Sequence, residues 1–521
     1  MKVGDRELNG GIAVLDFGGQ YSHLICRRVR ALGVYASLLP YDTPLPELRK
    51  AGVSGIILSG GPSSVYSPGA PRPQASVLNG SLPVLGICYG YQLLVQAHGG
   101  EVKKAGQREY GKATLRIVGE PRLFEGVTSG RRKSIACWMS HSDSATRLPD
   151  DMTVLGRSEN SPYAAIASDD GKQYGVQFHP EVAHTEGGDR ILSNFVLGVC
   201  RARKGWSMES YLRRTIRDLS EGLHGRVLCA VSGGVDSSVT AVLLGRAVGK
   251  NLRCIFVDTG LLREGESNEV SHFLKKEMGI PLDVLDASAL FLSALRGVTD
   301  PEKKRIVIGK LFAQVFAEYE RSNGPFRYLA QGTLYPDVIE SGRSAAPASI
   351  IKTHHNVGGL PPDIRLEVVE PLRELYKDEV RVLGRLLGLP KQLLGRHPFP
   401  GPGLAVRIVG EVTPEKLRIC RHASHIVEEV LGQERLYDKV WQAFALVGDD
   451  RITGVLGDER KLGHLVTVKL VESVDAMTAD WFRAPPGLLA KISNRITNEV
   501  EGVVGVAYSI SSKPPATIEP Q

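Results

Sequence analysis

The chain has 521 residues, 42% of them hydrophobic and 23% charged, with a net charge of +7. One core rarely grows so large, so roughly two to four domains are expected, and this composition excludes a disordered or collagen-like chain. No apolar run reaches transmembrane length, the basic runs are short, and MKVGDRELNG lacks a signal-peptide core, so the expectation is a cytoplasmic protein with no nucleic-acid and no membrane partner.

In chain order, the first apolar runs are Gly11–Phe17, Gly55–Gly61 and Pro83–Gly90, each ending in a Gly-rich turn. Buried parallel strands read this way, and the intervals between them are long enough for crossover helices. TLRIVG and YGVQFHP add strands before a basic joint at Arg201–Trp206. A second α/β pattern follows: the strand RVLCAVSGG, the helix SSVTAVLLGRAVG, then the strands LRCIFVDTG, PLDVLDAS and RYLAQGT. After Pro398–Gly403, an amphipathic helix opens at Thr413-Pro414, and HLVTVKLVES and GVAYSISS read as strands. The expected fold class is therefore α/β: two successive doubly wound α/β domains at 10–203 and 204–396, and a small C-terminal α+β domain at 397–521. The seven cysteines stand singly without a CxxC pair, which suggests core residues rather than disulfides or a zinc ribbon.

Gly86-Ile87-Cys88-Tyr89-Gly90 places Cys88 between glycines directly after a strand, the pattern of a nucleophile elbow with sulfur in place of a serine hydroxyl. The following helix N-terminus favours thiolate. His179 and Glu181 sit two residues apart in Gln177–Glu181, so in extended chain both project to one side, as a base and its orienter do. Gly60-Gly61-Pro62 offers backbone N–H groups suited to an oxyanion hole. Together these motifs resemble the class I (triad) glutamine amidotransferases over about the first two hundred residues. The resemblance implies Cys88 as nucleophile, His179 as base and Glu181 as orienter. It also implies Gly60 and the Tyr89 amide near the oxyanion, with Gln92, Ser140, His141 and Asp143 around glutamine. Ser142 departs from the glycine that members often carry.

Ser232-Gly233-Gly234-Val235-Asp236-Ser237-Ser238 joins a strand to a helix and makes a phosphate cradle without the lysine of a Walker A loop. It resembles the ATP-pyrophosphatase signature, in which ATP is cleaved between its α- and β-phosphates. The resemblance implies Asp236 as a Mg2+ ligand and the Asp258 segment as the adenosine contact, in the crevice beyond the strand ends.

Gln331–Ser341, Lys352–Gly359, the Pro398–Gly403 segment and the tail from Ser511 then resemble the GMP synthetase family over nearly the whole chain. That resemblance implies carboxylates for Mg2+ at Asp337 and Glu340, an ATP contact at Lys352, and an XMP pocket closed by Arg407, Lys513, Ile518 and Glu519. It implies glutamine, ATP and XMP as small-molecule substrates, an adenyl-XMP intermediate, and a homodimer through the C-terminal domain. The tail departs from the usual Ile-Glu-Trp-Glu ending, with Pro520-Gln521 after Glu519. A glutamine-dependent NAD synthetase fits less well, because it usually carries a nitrilase-like glutaminase. A tRNA-modifying enzyme would want a basic face and an accessible acceptor cysteine.

Overall fold

A computed structural model of the chain describes residues 10–128, 133–335, 337, 366–456, 459–473 and 479–520, and it falls into two compact units divided between Ser210 and Tyr211.

The strands of the first unit are β1 (Ile12–Asp16), β2 (Ala36–Pro40), β3 (Gly55–Leu58), β4 (Val84–Ile87), β5 (Glu101–Ile117), β6 (Ser134–Arg147), β7 (Met152–Arg157), β8 (Ala165–Ser168) and β9 (Gln173–Val176). They form one nine-stranded sheet in the order β2-β1-β3-β4-β9-β8-β7-β5-β6. The half from β2 to β9 is parallel, as its continuous apolar runs predict, and the chain crosses over through helices such as Ser22–Ala31. From β9 onward the sheet turns antiparallel, so it is doubly wound only in part. The reason lies in strands such as β6. Its buried positions largely alternate with more exposed ones, and its sequence therefore carries Ser, His and Asp instead of an apolar run.

In the second unit, β10 (Val227–Val231), β11 (Leu252–Asp258), β12 (Leu282–Asp286), β13 (Tyr328–Ala330) and β14 (Glu367–Val369) form a fully parallel sheet ordered β12-β11-β10-β13-β14. A second sheet pairs β15 (Gln442–Leu456) and β16 (Glu459–Glu472) as a long hairpin, with β17 (Asp480–Trp481) and β18 (Val503–Tyr508) also on β16. Helix Pro414–Gln433 is capped by the Thr413 side chain, which accepts from Lys416 N, with Pro414 at its first turn. A single apolar cluster runs from Val257, Leu261 and Phe291 to Leu404, Ile408 and Val447. Residues on either side of the expected 396/397 boundary thus share one core. Beneath the joint, the fully buried Lys304 donates to Ala405 O at 3.2 Å and Ile408 O at 2.7 Å.

Among the described residues, no helix is long and apolar enough to cross a membrane.

Candidate functional site

The first unit bends sharply where β4 meets helix Tyr89–Ala97, and Cys88 sits at the bend with φ of 52°, a left-handed conformation that costs a cysteine strain. Both flanking glycines are required. A Cβ on Gly86 would lie 2.5 Å from Gly90 C, and one on Gly90 would lie 2.4 Å from Leu58 O. The elbow is tied to the sheet by Cys88 N donating to Val176 O at 2.8 Å. The thiol is buried, with its sulfur 3.7 Å from Ser140 O.

His179 and Glu181 follow β9, whose parallel pairing with β4 brings them beside the elbow. His179 Nδ1 and Glu181 Oε1 are 2.7 Å apart, and both residues are buried. The histidine is fixed further by its own backbone: its N–H donates to Trp138 O at 2.9 Å, and its carbonyl accepts from Thr185 Oγ1 at 2.6 Å. Burial pulls the imidazole pKa down, but the Glu181 charge and hydrogen bonds to Cys88 and Glu181 outweigh it, leaving the value well above the ordinary 6.5. Gly60 leaves the room they need, since a Cβ there would meet His179 Cε1 at 3.1 Å and Cys88 Cβ at 3.7 Å. Tyr89 is buried, and its hydroxyl donates to Pro71 O at 2.8 Å.

The residues expected around glutamine come together beside the elbow. Gln92 Nε2 reaches Asp143 O at 3.0 Å and Gln177 Oε1 at 3.3 Å, so one side chain joins the helix to β6 and to the His179 segment. His141 Nδ1 meets the same Asp143 carbonyl at 3.0 Å, and its Nε2 lies 3.4 Å from Glu109 Oε2. The Asp143 carboxylate accepts from Ser64 Oγ at 2.5 Å and Tyr66 OH at 2.9 Å. Sequence reasoning did not single out Ser64, Tyr66, Glu109 or Gln177. The available signals were weak ones: Ser64 and Tyr66 closely follow the Gly60-Gly61 turn, and Gln177 leads into the His179 motif.

In the second unit the expected pyrophosphate loop lies between β10 and helix Val235–Val248, with Gly233 at φ +79°. Ser237 Oγ accepts from Ser232 N at 3.1 Å and donates to Gly234 O at 3.2 Å, closing the loop on itself. Val235 and Ser238 are buried, and Ser238 N already donates to Gly234 O at 3.1 Å. The surface offered to a phosphate is therefore narrower than the seven-residue motif. Gly332 packs against the loop, since a Cβ there would lie 3.2 Å from Asp236 C. Lys377 Nζ stands 3.8 Å from Asp236 Oδ2, a contact the sequence did not announce. Asp258 Oδ1 accepts from Gly260 N at 2.9 Å and shapes the turn after β11. Asp337 Oδ2 accepts from Leu334 N at 2.9 Å. Glu340, Lys352 and the His354-His355 segment lie outside the described residues. Among the described residues no three His, Cys, Asp or Glu side chains gather as a metal cage. Asp236 and Asp337 are carboxylates, the ligand type with which magnesium is held alongside phosphate oxygens.

The tail residues are folded onto β15 and β16. Arg407 is 1% exposed and meets Glu519 through Nε at 3.2 Å and Nη2 at 3.1 Å. Gln442 Nε2 donates to the same carboxylate at 2.7 Å, and the guanidinium lies over the Phe399 and Phe444 rings. Ile518 packs with Phe444 and Val471, while Lys513 pairs through its backbone with Ala479. Arg407 also lines a cavity of about 510 Å³ with Arg263, Leu404 and Arg421. Gly403 joins this region to the Asp258 segment, since at φ +63° a Cβ would fall 2.4 Å from Leu261 O.

Residues 13–199 match the family described as Glutamine amidotransferase class-I, and residues 429–520 match the GMP synthase C terminal domain. Over 98% of its length the chain is 52% identical to the GMP synthase (glutamine-hydrolyzing) of Symbiobacterium thermophilum, covering 98% of that protein. It is 53% identical to the protein of the same description from Thermomicrobium roseum, over 98% of this chain and 96% of that one. The Aquifex aeolicus relative, described in the same words, is 50% identical over 98% and 99%.

Proposed function

The chain belongs to the glutamine-hydrolysing GMP synthases, and we propose that the Cys88 elbow and the Ser232 loop carry the two halves of its reaction. It makes GMP from XMP with glutamine as nitrogen donor. The observation that carries the residue assignment is the Cys88–His179–Glu181 arrangement, with His179 held 2.7 Å from Glu181 beside a strained cysteine.

In the glutaminase half, His179 takes the thiol proton as Cys88 attacks the amide carbon. The Gly60 and Tyr89 N–H groups stabilise the oxyanion. His179 returns the proton to the departing ammonia, leaving a glutamyl thioester that water hydrolyses to glutamate. Glu181 holds the imidazole and balances its charge. In the synthetase half, the xanthine O2 of XMP attacks the α-phosphorus of ATP to give adenyl-XMP and pyrophosphate. The backbone of Ser232–Ser237 receives the β- and γ-phosphates at the helix N-terminus. Ammonia then displaces AMP at C2.

Magnesium, when bound with ATP, neutralises the phosphate charge, and Asp236 with Asp337 and Glu340 would hold it. Arg407, Lys513, Ile518 and Glu519 are the proposed XMP contacts, Lys352 an ATP contact. We place the reaction in the cytoplasm and pair two chains through the C-terminal region. The exposed apolar Val455 and Leu462 on the β15–β16 hairpin support that pairing.

Incubation with ATP, glutamine and either XMP or deamido-NAD tests the reading. AMP release with XMP alone supports it, and AMP release with deamido-NAD alone overturns it.

A further inference from the structure

β11 ends at Asp258, and the turn that follows satisfies its backbone groups in two different ways. Two amides are met locally: Gly260 N donates to Asp258 Oδ1 at 2.9 Å, and Leu261 N donates to Thr259 Oγ1 at 3.2 Å. The three successive carbonyls are met from far along the chain. Gly260 O accepts from Arg421 Nη2 at 2.5 Å, Leu261 O from Leu404 N at 2.8 Å, and Leu262 O from Arg421 Nε at 2.9 Å. One guanidinium therefore bridges two carbonyls of the turn. Gly260 stands at φ +72°, and a Cβ there would lie 3.0 Å from Ser288 Cβ, so helix Ser288–Ala294 hems the turn as well.

Arg421 projects from a helix that is itself pinned. Its neighbours Cys420 and Ser424 are buried, and their Sγ and Oγ donate to Ala445 O on β15 at 3.4 and 3.3 Å. Ala445 N donates back to Ser424 Oγ at 3.1 Å. The same strand carries Gln442, which holds Glu519. Among the described residues no carboxylate forms an ion pair with Arg421, so its guanidinium clamps backbone oxygens instead of balancing a charge. A planar fork with fixed donor directions suits that task better than an ammonium does.

From the reading of the Asp258 segment as the adenosine contact, we infer that Arg421 is a positioning residue for ATP, locking the Gly260–Leu262 turn in the shape that receives adenosine. The adenosine site then depends on a helix that lies beyond the expected 396/397 boundary. The phosphate side is built separately, since the Ser232 loop closes on itself through Ser237. Loss of the clamp weakens recognition of the nucleoside and spares that of the leaving phosphates.

The test follows ammonium-driven GMP synthesis by the full chain for the wild type, Arg421→Met, Arg421→Lys and Gly260→Ala. KM is measured for ATP and XMP, with inhibition constants for AMP and inorganic pyrophosphate. AMP carries the nucleoside without the leaving phosphates, and pyrophosphate carries the leaving phosphates alone. Arg421→Met is expected to raise KM for ATP and the AMP constant together, about tenfold, as loss of hydrogen bonds from a charged donor does. The pyrophosphate constant and KM for XMP are expected to stay within roughly twofold, and kcat within roughly threefold. Arg421→Lys, which reaches one carbonyl at a time, is expected to fall between, and it carries the same comparison if Arg421→Met does not fold. Unchanged ATP and AMP constants in the Arg421 variants, with raised ones in Gly260→Ala, overturn the positioning role alone. Equal rises for AMP, pyrophosphate and XMP also overturn it, as they would mark a merely structural role. Unchanged constants in the Arg421 variants and in Gly260→Ala alike would instead defeat the adenosine reading of the turn.

Discussion

Arg407 and Glu519 stand 112 residues apart in the sequence and meet through two hydrogen bonds of 3.1 and 3.2 Å in the interior of the second unit. Bidentate pairing of this kind fixes geometry as well as charge. It makes the C-terminal tail part of the folded unit, and it puts a residue four places beyond Pro515 in reach of the Arg407 cavity.

Glu519→Gln leaves the Arg407 guanidinium buried without its counter-charge, which costs roughly 3 kcal/mol. The expected outcome is a lower denaturation midpoint together with a raised KM for XMP, while glutamine hydrolysis in the first unit keeps its KM for glutamine. Denaturation curves and steady-state kinetics check this. An unchanged midpoint and KM would remove the pair from both roles.

Cys88→Ala is expected to abolish glutamine-dependent GMP synthesis and to leave synthesis from ammonium ions largely intact. Gly60→Ala should be milder but in the same direction, because its new methyl meets His179 Cε1 at 3.1 Å and narrows the oxyanion site. A loss of about tenfold in glutaminase kcat, against unchanged ammonia-dependent rates, is the expected pattern. Loss of both activities in Cys88→Ala would contradict the two-site division.

Glu181→Gln removes the charge that contributes most to raising His179, leaving only the contact with Cys88 to oppose burial. The NMR titration of His179 should therefore move to lower pH, and glutaminase kcat should fall about a hundredfold. Stability follows the same linkage. A histidine raised in the folded state stabilises fully below its unfolded value near 6.5, and that contribution is lost as pH rises through the folded value. The wild type should show this decline in thermal unfolding more strongly than the variant. Parallel profiles would show that Glu181 does not set the histidine charge.

Lys304 gives a pH dependence of the opposite sign. Burial, with repulsion from Lys416, lowers its ammonium to about 8. The unfolded chain then binds more protons than the folded one between pH 8 and about 10.4, so stability rises with pH across that window. Relative to Lys304→Met, the wild type should gain up to about 3 kcal/mol on moving from pH 7.5 to pH 10.5. A flat difference between the two would mean that Lys304 titrates normally.

Much of this was legible in the sequence, for identifiable reasons. Cys88, Gly60 and the Ser232 loop all follow buried parallel strands whose apolar runs cannot be mistaken for surface, and glycine marks each turn. The His179–Glu181 pair was legible from its two-residue spacing. β15 and the antiparallel strands β6–β8 were not: β6 mixes Ser, His and Asp with its apolar residues, β15 mixes in Gln, Asp and Arg, and β7 and β8 are only six and four residues long. Ser64, Tyr66 and Gln442 escaped for another reason. Each acts on a carboxylate distant in sequence, and no local spacing records a contact made by folding. The single core uniting Leu261 with Leu404 was hidden in the same way, since the change of pattern after Gly403 reads as a boundary.

The most direct measurement of the central claim is the fate of ATP. Purified protein given XMP, ATP, magnesium and ammonium ions is followed by 31P NMR, with Asp236→Ala in parallel. The account predicts one AMP and one pyrophosphate for each GMP formed, and their suppression in the variant. ADP with orthophosphate, or GMP formed without nucleotide consumption, would contradict it.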